Sequence, residues 1–313
     1  MNTALFLVQG VLTLLLAPFM LGLVRTMKAR FQNRKGASPF LPYFALLSLF
    51  KKEMTISRYS SWVFRLVPFV VAATAVFLAF AIPSLAFGVI PDALSNLFLV
   101  GGVMALGSAF LVMGGMDTAS TFGNMGASRE MTIAALVEPA LYVSLATIAA
   151  ASGVWSLDAI VGHLASGSWH VTVLPLILAL VALLLVTLAE NARYPVDNPA
   201  THLELTMVHE AMVLEYSGPY LALLEFASAV KLTVLGLFLM ALVLPFGLVH
   251  AGAFSLIATV VWFVVRFVLA AFLVALIEST IVKMRFYRMQ EYLSLAHIVA
   301  LVGFALVLMR IFI

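Results

Sequence analysis

The chain has 313 residues, of which 64% are hydrophobic and only 10% charged, with a mean hydropathy of +1.14. Soluble proteins clothe their surface with about a quarter charged residues, so lipid must be the solvent for most of this one. The absence of cysteine excludes iron–sulfur clusters, thiolate zinc, a nickel–iron centre and disulfides within the chain. A net charge of +3 is too small to argue for nucleic acid.

A bilayer core takes about 20 apolar residues per helix. Runs of that kind fall near 4–24, 63–87, 94–115, 131–154, 171–190, 219–249, 253–278 and 293–312. The sequence therefore predicts an all-α polytopic membrane protein with eight transmembrane helices, residues 1–313 forming one integral domain. Ala4–Leu16 lacks a preceding basic region and runs on through Leu23, so it reads as a span rather than a cleaved signal. Between the first two spans, the segment from Ser38 to Lys52 is too short to cross and ends in basic residues. It predicts an amphipathic helix along the membrane interface. Gly101, Gly102 and Gly107 suit the third span to close packing, and Pro245-Phe246-Gly247 marks the end or a kink of the sixth. No internal repeat is evident, which argues against an inverted-repeat transporter.

Lys and Arg alternate by loop. The first loop holds Arg25, Lys28, Arg30, Arg34, Lys35, Lys51, Lys52 and Arg58; the third holds Arg129, the fifth Arg193, the seventh Lys283, Arg285 and Arg288. The second, fourth and sixth hold none. The positive-inside rule then puts both termini outside, with the charged loops on the inner face where a partner docks.

Ionisable residues at membrane depth cost several kcal/mol and are functional candidates by default. Here they are Glu138, Glu190, Glu225, Lys231, Arg266 and Glu278, with Glu130 and Asp117 at the inner edge. Glu130 and Glu138, eight apart, are separated by about 80° and ~12 Å and share roughly one helix face. Glu225 and Lys231, six apart, are about 240° apart and each needs a partner on another helix or a hydrated cavity. The structural alternatives are that Glu190 and Glu278 sit at headgroup level, that Lys231 snorkels, and that Arg266 only pairs with Glu278 or a neighbouring subunit. His202 and His209 are seven apart, a spacing of no common metal motif, and no facing His pair exists for haem. The chain is thus expected to hold no metal or cofactor of its own.

At the fifth loop, Ala189-Glu-Asn-Ala-Arg-Tyr-Pro-Val-Asp-Asn-Pro199, then Glu204-Leu205 and Glu215-Tyr-Ser-Gly218, resembles the membrane component of respiratory complex I known as subunit 1 or the H subunit. Ala29-Arg-Phe-Gln-Asn-Arg-Lys-Gly36 and Gly126-Ala-Ser-Arg-Glu130 with Glu138-Pro139 agree, and the likeness covers essentially the whole chain. Asp117-Thr-Ala-Ser and Glu138-Pro look like the branch in membrane-bound group 4 nickel–iron hydrogenases and formate-hydrogenlyase complexes. Ala200 and His202 stand where quinone-linked members carry glutamates, and the interval to Glu215-Tyr-Ser is about three residues longer than theirs.

What the resemblance implies is a subunit with no catalytic chemistry of its own, in a prokaryotic inner membrane. It would anchor a hydrophilic arm, holding a hydrogenase-like large subunit with its nickel–iron site and iron–sulfur subunits, onto antiporter-like membrane subunits. It would also translocate protons. On that reading the proton-path candidates are Glu130, Glu138, Glu190, Asp197, Glu204, Glu215, Glu225, Lys231, Arg266 and Glu278. The arm-docking candidates are Arg25, Lys28, Arg30, Arg34, Lys35, Arg129, Arg193, His202, His209 and Glu210. The alternatives are a quinone-binding subunit 1 of a respiratory NADH dehydrogenase, a stand-alone ion transporter, and a purely structural anchor.

Overall fold

The structure, a computed structural model, describes residues 2–166, 173–197, 208–245, 249–250, 256–281 and 286–312. Among the described residues, eight helices are long and apolar enough to cross a membrane. They are α1 (Asn2–Phe31), α3 (Trp62–Ala81), α4 (Leu97–Asp117), α5 (Thr121–Ser152), α7 (Val173–Glu190), α9 (Gly218–Val243), α10 (Leu256–Thr280) and α11 (Phe286–Phe312). Shorter helices lie between them: α2 (Leu41–Phe50), α6 (Leu157–Ser166) and α8 (His209–Val213).

Local chemistry sets the boundaries. Ser61, Asn96 and Ser120 are extended residues whose side chains accept hydrogen bonds from Val63 N, Phe98 N and Gly123 N, capping α3, α4 and α5. Gly153, with φ +75°, ends α5 in the left-handed conformation that glycine adopts without a Cβ penalty. Pro83 and Pro245 stop α3 and α9 short of the lengths that hydropathy alone suggests, at Ala81 and Val243. Two helices start earlier than hydropathy suggests, α5 at Thr121 and α11 at Phe286, because polar turns outside the lipid still satisfy the helical pattern. The segment Gly126–Glu130 is therefore helical rather than a loop.

The most enclosed helix is α9, with 78% of its apolar window buried against 28–50% for the other spans. It packs against α1, α3, α7 and α10, while α5 packs against α4, α7 and α11. Helix α2 rests on α1 and α9. It turns Phe44, Leu47 and Phe50 outward, so its polarity resides in the flanking Lys51 and Lys52 rather than in a polar face. Gly22 lets the Pro39 carbonyl lie directly on α1 and brings α2 into place.

The two ends of the bundle differ. At the end carrying the termini, Thr13 Oγ1 and Ser84 Oγ are 3.2 Å apart, and Asp158 Oδ2 accepts from Gly88 N at 2.6 Å. There the two-residue strands β1 (Ala86–Phe87) and β2 (Val249–His250) pair in parallel. The opposite, basic end carries α2, α8 and the charged loops. Asp117, at the end of α4, accepts from Ser61 N (2.7 Å), Ser61 Oγ (2.6 Å) and Phe64 N (3.2 Å), which fastens the start of α3 to α4.

Candidate functional site

Most of the charges inside the spans converge at the basic end around α9. Lys231, mid-way along α9, forms an ion pair with Glu190 at the last position of α7. Its partner is on another helix, as the six-residue offset from Glu225 requires. Glu190 is thereby drawn inward, its side chain 7% exposed, rather than sitting free at headgroup level. Glu130 joins this pair in lining a cavity of about 60 Å³, together with Asn191, His209, Ser108 and Ser228. Polar groups so deep in a bundle are tolerated where they pair with one another or line a cavity inside the protein.

A second cluster lies beside the first. Glu278, near the end of α10, is 2% exposed and accepts from Lys28 Nζ at 3.0 Å and Arg193 Nη1 at 3.0 Å. Lys28 also stands 4.6 Å from the centre of the Tyr194 ring. One carboxylate thus ties α1, α10 and the segment after α7 together, and two cations around one buried anion is a favourable arrangement only while all three are present.

Between these clusters, a cavity of about 40 Å³ is lined by Arg25, Arg193, Asp197, Glu210 and Glu225. Asp197 is buried and its Oδ2 accepts from the backbone N–H groups of Val208 and His209, each at 3.3 Å, which holds the start of α8. Burial holds the His209 imidazole neutral, its pKa lowered to about 4, with Lys231 and Arg193 adding to the effect against Asp197. Burial also pushes the Glu210 carboxyl up to about 7, reinforced by Glu225 and Asp197 and opposed by Arg25 and Arg193. A third, larger cavity of about 250 Å³ lies between α1, α2 and α9. Its walls are apolar, from Pro18, Leu21, Pro42, Leu46, Leu49 and Leu221, with Arg25 and Glu225 also facing it.

The remaining candidates fall elsewhere. Glu138 is partly buried on α5, one turn from Tyr142, whose ring packs on Gly101. Glu215 is exposed beyond α8. His202 and Glu204 lie outside the described residues. Arg25, Arg30, Arg34 and Lys35 are exposed, and Arg129 is partly buried on α5. Lys28 and Arg193 reach into ion pairs with Glu278, and Arg193, His209 and Glu210 line the cavities. The alternative in which Arg266 pairs with Glu278 does not hold, because the two are twelve residues apart on α10 and Glu278 is held by Lys28 and Arg193. Arg266 is fully buried; its Nε donates to Trp262 O at 3.4 Å, and its terminal nitrogens meet no acceptor among the described residues.

Two uncharged residues, Asn191 and Ser228, line both of the smaller cavities, although neither carries the charge that singles out their neighbours in the sequence. Only the place of Asn191 inside the Ala189–Pro199 motif marks it there. Among the described residues, no group of three or more His, Asp or Glu is arranged to hold a metal ion.

The NADH dehydrogenase family model matches residues 3–309. Hydrogenase-4 component C of Escherichia coli (strain K12) is 33% identical over 96% of this chain and 92% of that protein. Formate hydrogenlyase subunit 4 of the same organism is 28% identical over 89% of this chain and 90% of its own. The H subunit of the NADH-quinone oxidoreductase of Rubrobacter xylanophilus is 27% identical over 83% of this chain and 78% of its own. A chain in the structure of the membrane-bound sulfane sulfur reductase (MBS), an archaeal respiratory membrane complex, shares the fold, with a TM-score of 0.82 at 17% identity over 98% of this chain and 99% of that one. The chain thus belongs to the NADH dehydrogenase family of membrane subunits.

Proposed function

We propose that this multi-pass membrane protein is the anchoring and proton-translocating subunit of a hydrogenase-4 or formate-hydrogenlyase type complex. The observation that carries the reading is the Lys231–Glu190 pair, which lines one cavity with Glu130 at the most buried helix. An ion pair at this depth is costly to keep, and its members can exchange protons when a neighbouring charge changes. The exposed Arg30, Arg34 and Lys35 offer a basic surface for the hydrophilic arm, with its hydrogenase-like large subunit and iron–sulfur subunits. The buried acids continue sideways toward antiporter-like membrane subunits. Redox chemistry in the arm that shifts the α7–α8 segment would alter the field at Glu190 and bias proton uptake, a two-state element read by both sites. The basic end faces the inside of a prokaryotic plasma membrane and both termini lie outside, following the Lys and Arg distribution.

Mild-detergent purification of the tagged chain tests the assembly: hydrogenase-like, iron–sulfur and antiporter-like subunits should accompany it. Lys231→Met in the assembled complex tests the coupling, and should abolish proton translocation. Translocation at the normal ratio in both Lys231→Met and Glu138→Gln would overturn the reading. A reporter fused to either terminus should be active only outside the membrane. The apolar cavity between α1, α2 and α9, reached by Arg25 and Glu225, favours a second reading in which a quinone docks there. Photo-crosslinking of a quinone analogue to α2 would support that reading.

A further inference from the structure

The cavity lined by Glu130, Glu190 and Lys231 and the cavity lined by Arg25, Asp197, Glu210 and Glu225 are separate, yet they share four wall residues: Asn191, His209, Leu224 and Ser228. A proton passing from one to the other must cross this partition. Leu224 carries no exchangeable proton. Ser228 and Asn191 form hydrogen bonds without changing charge near neutral pH. Imidazole alone among the four can take a proton on one ring nitrogen and release a different one from the other.

The partition is built rather than incidental. Asp197 Oδ2 holds the backbone N–H of His209. Helix α8 lies close against α5, where a side chain on Gly126 would meet Val208 O and the Ala211 Cβ. Asn191 Nδ2 donates to Thr187 O at 2.7 Å, which fixes its amide and leaves its buried Oδ1 at the shared wall without a donor among the described residues. The charged groups facing this wall are Glu130 from α5, Glu190 from α7, Arg193 and Asp197 from the segment after it, Glu210 from α8, Glu225 and Lys231 from α9, and Arg25 from α1. Carboxylates thus line both cavities, on either side of the wall that His209 shares.

We infer that His209 is the proton-relaying gate between the two cavities, its backbone held by Asp197 and its wall shared with Asn191. The inference rests on the proton-translocating reading above and names the residue that links its two halves. In one passage the ring accepts a proton from the Glu210 side, releases the proton on its other nitrogen toward Glu190 or Glu130, and returns neutral. Its pKa of about 4 keeps the resting ring uncharged, so the gate does not hold a proton between passages.

The test uses the whole complex reconstituted in vesicles, reading protons translocated per electron transferred. His209→Ala and His209→Gln should each lower that ratio by at least about 100-fold, the low end of what a positioned acid–base group contributes. Added imidazole should restore His209→Ala, since it can occupy the vacated ring position. Lys231→Met is the reference. Its loss of translocation beside a normal ratio in His209→Gln would overturn the gate and leave the function standing. Normal ratios in Lys231→Met, Glu138→Gln and His209→Gln alike would overturn the function as well. A His209→Ala complex that loses translocation without imidazole rescue, while His209→Gln retains it, would reduce His209 to a packing residue and overturn the inference.

Discussion

Removing the negative charge of Glu278 should destabilise the subunit more than any other single isosteric change. In Glu278→Gln, Arg193, with its side chain 7% exposed, and Lys28, at 19%, face one another with no anion between them. Breaking a buried ion pair by removing one partner costs about 3–5 kcal/mol. Lys28 is the more solvated of the two and contributes at the low end, so about 4 kcal/mol is a fair centre. Unfolding entropy near roughly 2.1 cal/mol/K per residue over 313 residues amounts to roughly 0.66 kcal/mol/K. The apparent Tm should therefore fall by about 6 °C. The assay is retention of the tagged subunit in solution after heating the purified complex. Replacing the whole triad by Met at Lys28, Leu at Glu278 and Met at Arg193 should recover most of that loss, because a well-packed apolar cluster substitutes for buried charges. A shift below about 1 °C in Glu278→Gln, or a triple variant no better than the single one, would refute the reasoning.

The pH dependence of α8 should be flat where either of its titrating groups alone would slope. His209, lowered from 6.5 to about 4, contributes stability present above about 6.5 and lost as pH falls toward 4. Glu210, raised from 4.5 to about 7, contributes stability present below about 4.5 and lost as pH rises through 7. The two oppose one another between about 4.5 and 6.5, so amide exchange in α8 should change little there. His209→Gln should make α8 more protected as pH falls through this window, and Glu210→Gln less protected. Gly22→Ala should detach α2, since its Cβ would fall on the backbone of Pro39 and no side chain can yield; faster proteolysis after Lys51 or Lys52 would report it. Asp117→Ala should cost about 1–2 kcal/mol through lost capping of α3, while Asp117→Asn keeps an acceptor and loses less, read by the same heating assay.

The eight crossings were legible because a bilayer demands a single repeated pattern, an apolar run of fixed length. Their polar ends were not, since hydropathy is blind to helix that continues into water, as α5 does from Thr121 and α11 from Phe286. The charged residues Glu130, Glu190, Lys231 and Glu278 stood out in the sequence for the same reason that the spans did. Their pairings were hidden. Glu278 meets Lys28 across 250 positions, a contact set by how α1 and α10 pack rather than by any local spacing. Arg266 and Glu278 share a helix, but the packing gives Glu278 nearer cations. Asn191 and Ser228 carry no charge; the Ala189–Pro199 motif marks Asn191, and only the cavity walls reveal Ser228.

The placement of the polar cluster follows from the position of α9. A helix at the rim of a bundle exposes half its surface to lipid, where an ammonium group must snorkel or bear the full cost of desolvation. Helix α9 is packed by neighbours on most sides, so Lys231 meets Glu190 and a cavity within the protein instead of acyl chains. Enclosure of this kind lets a helix carry a charge mid-span without a local thinning of the bilayer. The same enclosure brings the α7–α8 segment against it, and hence places Asn191 and His209 on the wall between loop and membrane. An electrostatic change at the basic end therefore reaches Lys231 through one layer of side chains, in a medium where charges interact several times more strongly than in water. That short path is the one the proposed relay between the two cavities would use.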